Sequence, residues 1–161
     1  MLTRTQRPLD RAAIAARIPH AGRMCLLERV LHWDRDGIRC AAISHRDADN
    51  PLRETEGLPV WAAIEYAAQA AAVHGGLLQP HPHPHPQPRT GVMAALRNVE
   101  ARVQWLDDCE HELIITANLL HSDAAGGIYQ FQASADEQVL ISGQFTLMFR
   151  EAQCGNKESG A

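Results

Sequence analysis

The chain has 161 residues, of which 45% are hydrophobic, and a formal net charge of −4 at pH 7. This size and composition predict one globular domain over residues 1–161, with its core at about residues 10–150, and the negative charge argues against nucleic acid as the main partner. Four scattered cysteines without a C-x-x-C pair, and an N-terminus without an apolar segment, indicate a cytoplasmic protein with reduced thiols.

The first third of the chain predicts an arm, a short helix and a hairpin. Residues 1–8 are expected to form a flexible arm. Asp10 is a typical N-cap for the helix RAAIAARI, which ends before Pro19. The strand-forming residues before and after the turn Asp34–Gly37 predict a β-hairpin.

The stretch Leu58–Leu78, LPVWAAIEYAAQAAAVHGGLL, predicts the central helix of the molecule. Pro59 suits the first helical turn, and Gly75 lies near the expected end. A helix that is apolar on every side is expected to be buried on every side. A carboxylate in that setting costs several kcal/mol unless it is paired, protonated or used, so Glu65 needs an explanation. Gln69 lies on the same face, four residues later.

The second half of the chain predicts a loop and four strands. Residues 79–90 are rich in His and Pro, which predicts an extended loop. Four strand-like runs follow, joined by short turns. In the first of them the apolar positions change from even to odd numbers at Arg97 and Asn98, which predicts a β-bulge there. The tail from Gln153 is polar and is expected to be disordered.

Two strands, one helix and four strands in this order predict an α+β protein. Short turns make neighbouring strands antiparallel. One long apolar helix is buried only if the sheet curls around it, so we expect the hot-dog fold, a curled antiparallel sheet of about six strands around one long buried helix. A wrapped helix keeps one side open, and in this architecture a second subunit closes it, so we also expect a dimer.

Two segments carry a resemblance to a known family. Ile18–Val30 (IPHAGRMCLLERV) and Leu58–Ala71 (LPVWAAIEYAAQAA) resemble the signature segments of hot-dog 3-hydroxyacyl-acyl-carrier-protein dehydratases. The nearest branch is the dehydratase-like proteins of aryl polyene and xanthomonadin-type pigment biosynthesis. The resemblance implies that His20 and Glu65 are catalytic, that the partner is an acyl carrier protein bearing a 3-hydroxyacyl thioester, and that no cofactor is needed.

The chain departs from this family's pattern at two places. Many of the dehydratases have Gly after the Pro that opens the helix, and this chain has Val60. They also carry a Phe-Pro-Gly-His-Phe-Pro-like loop before the helix, which NPLRETEGLP does not reproduce. A side chain at Val60 is expected to crowd the thioester, so both departures bear on substrate range and on activity.

The implied reaction gives each residue a chemical role. Loss of water from a 3-hydroxyacyl thioester needs a base for the C2 proton and an acid for the C3 hydroxyl. His20 suits the base, because histidine exchanges protons near neutral pH, and a desolvated, protonated Glu65 suits the acid. Backbone N–H groups at Val60 and Trp61, at the helix start, are expected to stabilise the thioester oxygen.

Other roles for these residues stay open. Glu65 has the alternative of a salt bridge to Arg97. Gln69 is a candidate for substrate binding, or a structural hydrogen-bond partner of Glu65 or of a strand carbonyl. Trp61 either lines the acyl tunnel or fills the core or the dimer contact. The arginines that would meet an acidic carrier protein include Arg89, Arg97 and Arg102.

The His-Pro loop raises the question of a metal site. Histidines two residues apart in a proline-stiffened chain do not converge easily on one ion, so we expect adventitious binding and no catalytic metal at His81, His83 and His85.

Two rival functions and one assembly remain to be tested. The rivals are a hot-dog thioesterase, in which an acidic residue on the helix activates water, and a non-catalytic partner of an active paralogue. The assembly is a homodimer or a heterodimer with a hot-dog paralogue. In the dimer we expect His20 of one subunit to face Glu65 of the other.

Overall fold

The computed structural model describes residues 8–79 and 90–150, and within them seven antiparallel strands form one sheet around one long helix. The strands are β1 (Leu9–Asp10), β2 (Arg29–Trp33), β3 (Gly37–Ala42), β4 (Thr90–Ala101), β5 (Leu113–Ser122), β6 (Gly126–Ala135) and β7 (Gln138–Arg150). The helices are α1 (Arg11–Ala15) and α2 (Ala62–Leu77), with 3-10 turns at Gly22–Met24 and Ser44–Arg46. The strand order in the sheet is β1-β2-β3-β5-β6-β7-β4, and the arrangement is the predicted hot-dog fold.

The N-terminal elements differ slightly from the prediction. The Asp10 side chain accepts a hydrogen bond from the backbone N–H of Ala13 at 2.9 Å, so the predicted N-cap is confirmed. The helix is shorter than expected and ends at Ala15. A seventh strand, β1, precedes it and pairs with β2. Two residues carry no periodicity, which is why this strand was not predicted.

The predicted hairpin of β2 and β3 is confirmed, and Asp34 shapes its turn. The Asp34 carboxylate accepts hydrogen bonds from the backbone N–H groups of Asp36 and Gly37 at 2.8 and 3.1 Å. These hydrogen bonds lower the pKa of Asp34, the bond from Asp36 having the largest effect. The turn lets β3 run directly into the middle of the sheet.

Helix α2 packs against β3, β5 and β6, and most of its side chains are buried. The core that includes its buried residues also contains the stacked rings of Phe131 and Phe145, with centroids 5.4 Å apart. Burial is not complete, however. One stripe of the helix stays half-exposed, and we call it the open stripe: Ile64, Glu65, Ala68, Ala72 and Gly75. The expectation of burial on every side is therefore wrong on this stripe, because the sheet covers the helix from one side only.

Strand β4 is at the edge of the sheet and pairs with β7. The predicted bulge is confirmed: the register shifts between Arg97 and Glu100, and Asn98 has a φ of 53°. A second shift, between Met93 and Ala95, was not predicted. It reverses the alternation early in the strand, so that Leu96 pairs with the buried Phe145 and faces the inner side of the sheet.

The segment before α2 is held by the chain that leads into β5. The backbone N–H of Leu58 donates to the Asp107 carboxylate at 2.8 Å, and the backbone N–H of Leu106 donates to the Leu58 carbonyl at 2.8 Å. Arg53 pairs with the same carboxylate at 3.0 Å. These contacts fix the point at which α2 begins.

Three predicted segments lie almost wholly in residues 1–7, 80–89 and 151–161, outside the described part of the chain: the N-terminal arm, the His-Pro loop and the C-terminal tail. The predicted loop is shorter by one residue at its end, because Thr90 belongs to β4. The metal question at His81, His83 and His85 and the docking role of Arg89 therefore stay predictions. Among the helices that the structure describes, none is long and apolar enough to cross a membrane.

Candidate active site

His20 and Glu65 meet at the start of the central helix. His20 lies in the connection between α1 and the 3-10 turn Gly22–Met24, and Glu65 lies in the first turn of α2. Nε2 of His20 is 3.0 Å from Oε1 of Glu65. The two side chains are 31% and 35% exposed, so each is supported by the protein and open to a substrate. The pairing with His20 explains how a carboxylate is accommodated in an apolar helix.

Both residues of the pair belong to one chain. The prediction that His20 of one subunit faces Glu65 of the other is therefore wrong. The connection carrying His20 folds over α2 within the chain because Ile18 and Leu26, on either side of His20, are buried in the core. The expected desolvation of Glu65 is also incomplete, since its side chain lies on the open stripe.

The alternative partner of Glu65 is excluded as well. Arg97 pairs with Gln144 in the sheet, and of the residues that the structure describes only His20 and Gln69 make polar contacts with Glu65. Both contacts are to Oε1. The second oxygen, Oε2, is therefore left for a substrate.

Gln69 is buried and uses its whole amide group within the protein. Its Oε1 accepts a hydrogen bond from the Leu26 backbone N–H at 3.0 Å. Its Nε2 donates to the Met24 carbonyl at 2.7 Å and to Glu65 at 3.2 Å. A substrate would have to displace one of these bonds, so the geometry supports the structural alternative for Gln69 over substrate binding.

The helix start offers one free backbone donor. The N–H of Val60 donates to the Gln104 carbonyl at 3.0 Å, so it is not available to a substrate. Within the described residues no group accepts a hydrogen bond from the N–H of Trp61. The Val60 side chain is buried in the core, which argues against the expected crowding of the thioester, whereas the Trp61 side chain is 56% exposed. Of the two predicted donors, only Trp61 remains.

The two nitrogens of His20 differ in their surroundings. Nδ1 is buried and makes no hydrogen bond to any residue in the described ranges. Nε2 faces Glu65 and the open side of the pair. Of the two ring nitrogens, Nε2 is therefore the one that a substrate could reach.

Sequence reasoning missed a polar cluster behind this pair. Tyr66, Ser44 and Asn50 hydrogen-bond to one another in the interior. The one signal was the hydroxyl group of Tyr66, in a helix rich in alanine. Ser44 and Asn50 lie in a polar connection whose pattern does not distinguish buried side chains from exposed ones. Elsewhere in residues 8–79 and 90–150, no three His, Cys, Asp or Glu side chains lie together as a metal site would require.

Comparisons with known proteins point to one family and one fold. The family model of the ApeP-like dehydratases matches residues 12–154. The dehydratase heterocomplex ApeI:P from Xenorhabdus doucetiae has a chain that is 27% identical, with a TM-score of 0.74 over 86% of this chain and 91% of that chain. No curated protein sequence gave a significant match.

Two thioesterases share the fold at lower identity. A thioesterase from Staphylococcus aureus is 14% identical, with a TM-score of 0.56 over 76% of this chain and 92% of that chain. A thioesterase from Haemophilus influenzae is 13% identical, with a TM-score of 0.55 over 78% of each chain. At such identities the likeness concerns the hot-dog fold alone.

Proposed function

The chain belongs to the ApeP-like dehydratase family, and on that premise we propose that it dehydrates 3-hydroxyacyl thioesters carried by an acyl carrier protein, in aryl polyene or fatty-acid-like biosynthesis. The product is a trans-2-enoyl thioester and water. The observation that carries the proposal is the contact of 3.0 Å between His20 and Glu65. It brings a base and an acid to one exposed point, as an elimination of water requires.

The pair handles the two protons of the reaction. Nε2 of His20 removes the proton from C2, and the electron pair of that C–H bond forms the double bond. The C3–O bond breaks as Glu65 donates to the leaving hydroxyl the proton that it shares with His20, and the hydroxyl departs as water. His20 is then protonated and Glu65 is ionised. The proton returns from Nε2 to the carboxylate across their direct contact, which restores the starting state.

Negative charge develops on the thioester oxygen while the C2 proton is removed. The free N–H of Trp61 lies at the N-terminal end of α2, one helical turn before Glu65. A backbone donor there, together with the positive end of the helix, stabilises such an oxyanion. Val60 takes no part through its N–H, because Gln104 already occupies it.

A second hot-dog subunit completes the molecule in this proposal. The apolar residues of the open stripe (Ile64, Ala68 and Ala72) and Leu96, which is 43% exposed on the inner side of β4, are uncovered apolar surface, and the sheet edge at β4 has no partner strand among the described residues. The Xenorhabdus relative is a chain of the dehydratase heterocomplex ApeI:P. Pairing with a hot-dog paralogue would bury this surface, and carrier-protein docking is part of the same proposal.

The pair can be tested by His20→Ala and Glu65→Gln. The enzyme is purified through a tag on this chain from its natural host, so that any partner subunit stays bound. Each substitution should lower turnover of a 3-hydroxyacyl carrier protein by at least about a hundredfold, the usual contribution of a positioned proton-transfer group. Loss of the hydroxyacyl species is followed by mass spectrometry, and release of free thiol is followed in parallel to detect thioesterase activity.

His32→Ala is the matched control. His32 also contacts a carboxylate, Asp34 at 3.3 Å, but on the exposed surface of β2. Activity should be unchanged in this variant. Near-normal turnover in Glu65→Gln would mean that Glu65 is structural, and release of thiol without dehydration would replace the proposal by the thioesterase alternative.

A further inference from the structure

The connection that carries His20 has little regular structure of its own. Between α1 and β2 it contains one 3-10 turn, Gly22–Met24, with hydrogen bonds inside the turn. Leu26 and Leu27 bury their side chains in the core and fix the depth of the connection. Apolar contacts leave its rotation poorly fixed, because they have no direction. Hydrogen bonds from outside the connection must supply that direction.

Gln69 supplies one of these anchors, through the carbonyl of Met24 and the N–H of Leu26. The same side chain reaches Glu65. Through Gln69, the position of the Met24–Leu26 backbone is therefore coupled to the position of the Glu65 carboxyl group.

A second anchor holds the other side of Leu26. The Leu26 carbonyl is 2.7 Å from the hydroxyl of Ser44, which must donate because a carbonyl only accepts. The Tyr66 hydroxyl, 2.8 Å from Ser44, then donates to the Ser44 oxygen. Asn50 donates to the Tyr66 oxygen at 3.0 Å. Each hydrogen bond in this series therefore has only one possible direction, and the series ends at the Leu26 carbonyl.

The members of this series are well shielded from water. Tyr66 and Asn50 are buried, and Asn50 is held in turn by the Ser44 carbonyl at 2.9 Å. Burial raises the pKa of the Tyr66 hydroxyl, so it stays protonated and able to donate. Buried polar networks that are fully paired hold their members in one geometry.

We infer that Tyr66, with Ser44 and Asn50, is a positioning residue of the dehydratase: its hydroxyl fixes the Leu26 backbone, Leu26 fixes Gln69, and Gln69 sets the contact between Glu65 and His20. This inference rests on the proposed function of the pair. Tyr66 follows Glu65 in α2, so the helix holds the connection from two sides, by Gln69 next to the pair and by Tyr66 behind it.

The test is Tyr66→Phe, which removes one oxygen atom and keeps the ring. On the enzyme purified as above, kcat should fall about tenfold with KM unchanged, since a small displacement of reacting groups slows chemistry without weakening binding. In a Gln69→Met background, where the coupling is already broken, Tyr66→Phe should lower kcat by less than about twofold further. Should Tyr66→Phe fail to fold, Ser44→Ala removes the same link at a half-buried position.

Tyr129→Phe is the matched control. Tyr129 is also buried, and its hydroxyl bonds to His74 at 3.0 Å in the C-terminal half of α2, away from the pair. This variant should lose stability and keep kcat. The inference is overturned if Tyr66→Phe loses stability and keeps kcat like the control, or if it slows the enzyme equally in both backgrounds.

Failure of the proposed function gives a different pattern. In that case Glu65→Gln keeps normal turnover in the same assay. Failure of the positioning inference alone leaves Glu65→Gln inactive and Tyr66→Phe at full kcat.

Discussion

At the scale of single residues, the protein uses polar side chains inside an apolar helix for two different purposes. Glu65 and Gln69 lie on the side that meets the His20 connection, where they form the candidate site. His74 lies two turns later and is fully buried. Its Nε2 donates to the Asp34 carbonyl at 2.9 Å and its Nδ1 accepts from Tyr129 at 3.0 Å. His74 thereby ties the C-terminal half of α2 to the first hairpin.

The buried histidines make stability depend on pH. Burial lowers the pKa of His74 and of His45, whose Nε2 bonds to the Cys109 carbonyl at 3.0 Å. Above the pKa of about 6.5 that histidine has in the unfolded chain, both histidines are neutral in the folded and in the unfolded state, and stability is at its full value. Below it the unfolded chain binds protons that the folded chain does not. Stability should therefore fall with pH, by at most about 1.4 kcal/mol per pH unit for each histidine.

Urea unfolding between about pH 8 and about pH 5 measures this dependence. His74→Gln keeps a donor for Asp34 and should reduce the slope. His121→Gln, on the exposed end of β5, is the control and should keep the slope. A stability that stays flat below about pH 6.5 would contradict the assignment of neutral buried histidines.

Gly57, in the segment before α2, occupies a position where any side chain would be strained. Its φ is +150°, and an added Cβ would lie 2.9 Å from the Asp107 oxygen that holds Leu58. Gly57→Ala should destabilise the fold by about 1–3 kcal/mol, because it combines backbone strain with a displaced carboxylate. Gly76→Ala is the control: in α2 an added Cβ meets no atom within 4 Å, so stability should rise by up to about 1 kcal/mol. Equal effects in urea unfolding would contradict this reading.

At the scale of elements, β4 is an edge strand whose outer side has no partner strand among the described residues. It pairs with β7 and extends beyond the surface that α2 covers, which leaves Leu96 exposed on the inner side. The bulge at Asn98 bends the strand and increases its twist. A long edge strand with an apolar inner face is a typical site for pairing with another sheet.

Leu96→Asp tests the role of this element. A charge on the apolar inner face should weaken association with the second subunit at least about tenfold, because an interface core excludes unpaired charges. Leu120→Asp is the control, since Leu120 is 54% exposed at the far end of β5. Sedimentation equilibrium measures the association constants. Equal association in the two variants would place the interface elsewhere.

At the scale of the whole molecule, the sheet and helix of one chain assemble both members of the pair. In the proposed assembly the second subunit covers the apolar residues of the open stripe and delivers neither His20 nor Glu65. Each chain therefore carries its own complete pair, whether its partner is a copy of itself or a paralogue.

Mixing inactive His20→Ala and Glu65→Gln chains should accordingly restore no activity. Each His20–Glu65 pair then still contains one inactivating substitution, since both residues come from one chain. Exchange of subunits is verified with a mass label on one variant. Recovery of about a quarter of the wild-type activity, the value for a pair shared within a randomly mixed homodimer, would contradict the single-chain site.

Local pattern was enough to determine much of this protein. The alanine-rich run predicts α2, the change of alternation at Arg97 and Asn98 predicts the bulge, and the cost of burying a carboxylate points to Glu65. These features depend on neighbours within a few residues, which the sequence contains directly. Resemblance in two short segments added His20 and the family.

The tertiary structure decided which groups meet. His20 reaches Glu65 across 45 residues of chain, the N–H of Val60 is taken by Gln104 while that of Trp61 stays free, and Ser44 and Asn50 turn inward to Tyr66. Local preference cannot encode such contacts, because they depend on how the curled sheet and the connections pack around α2. For the same reason the prediction that two chains would build the pair was wrong, because the packing of the His20 connection over its own helix brings both residues together within one chain.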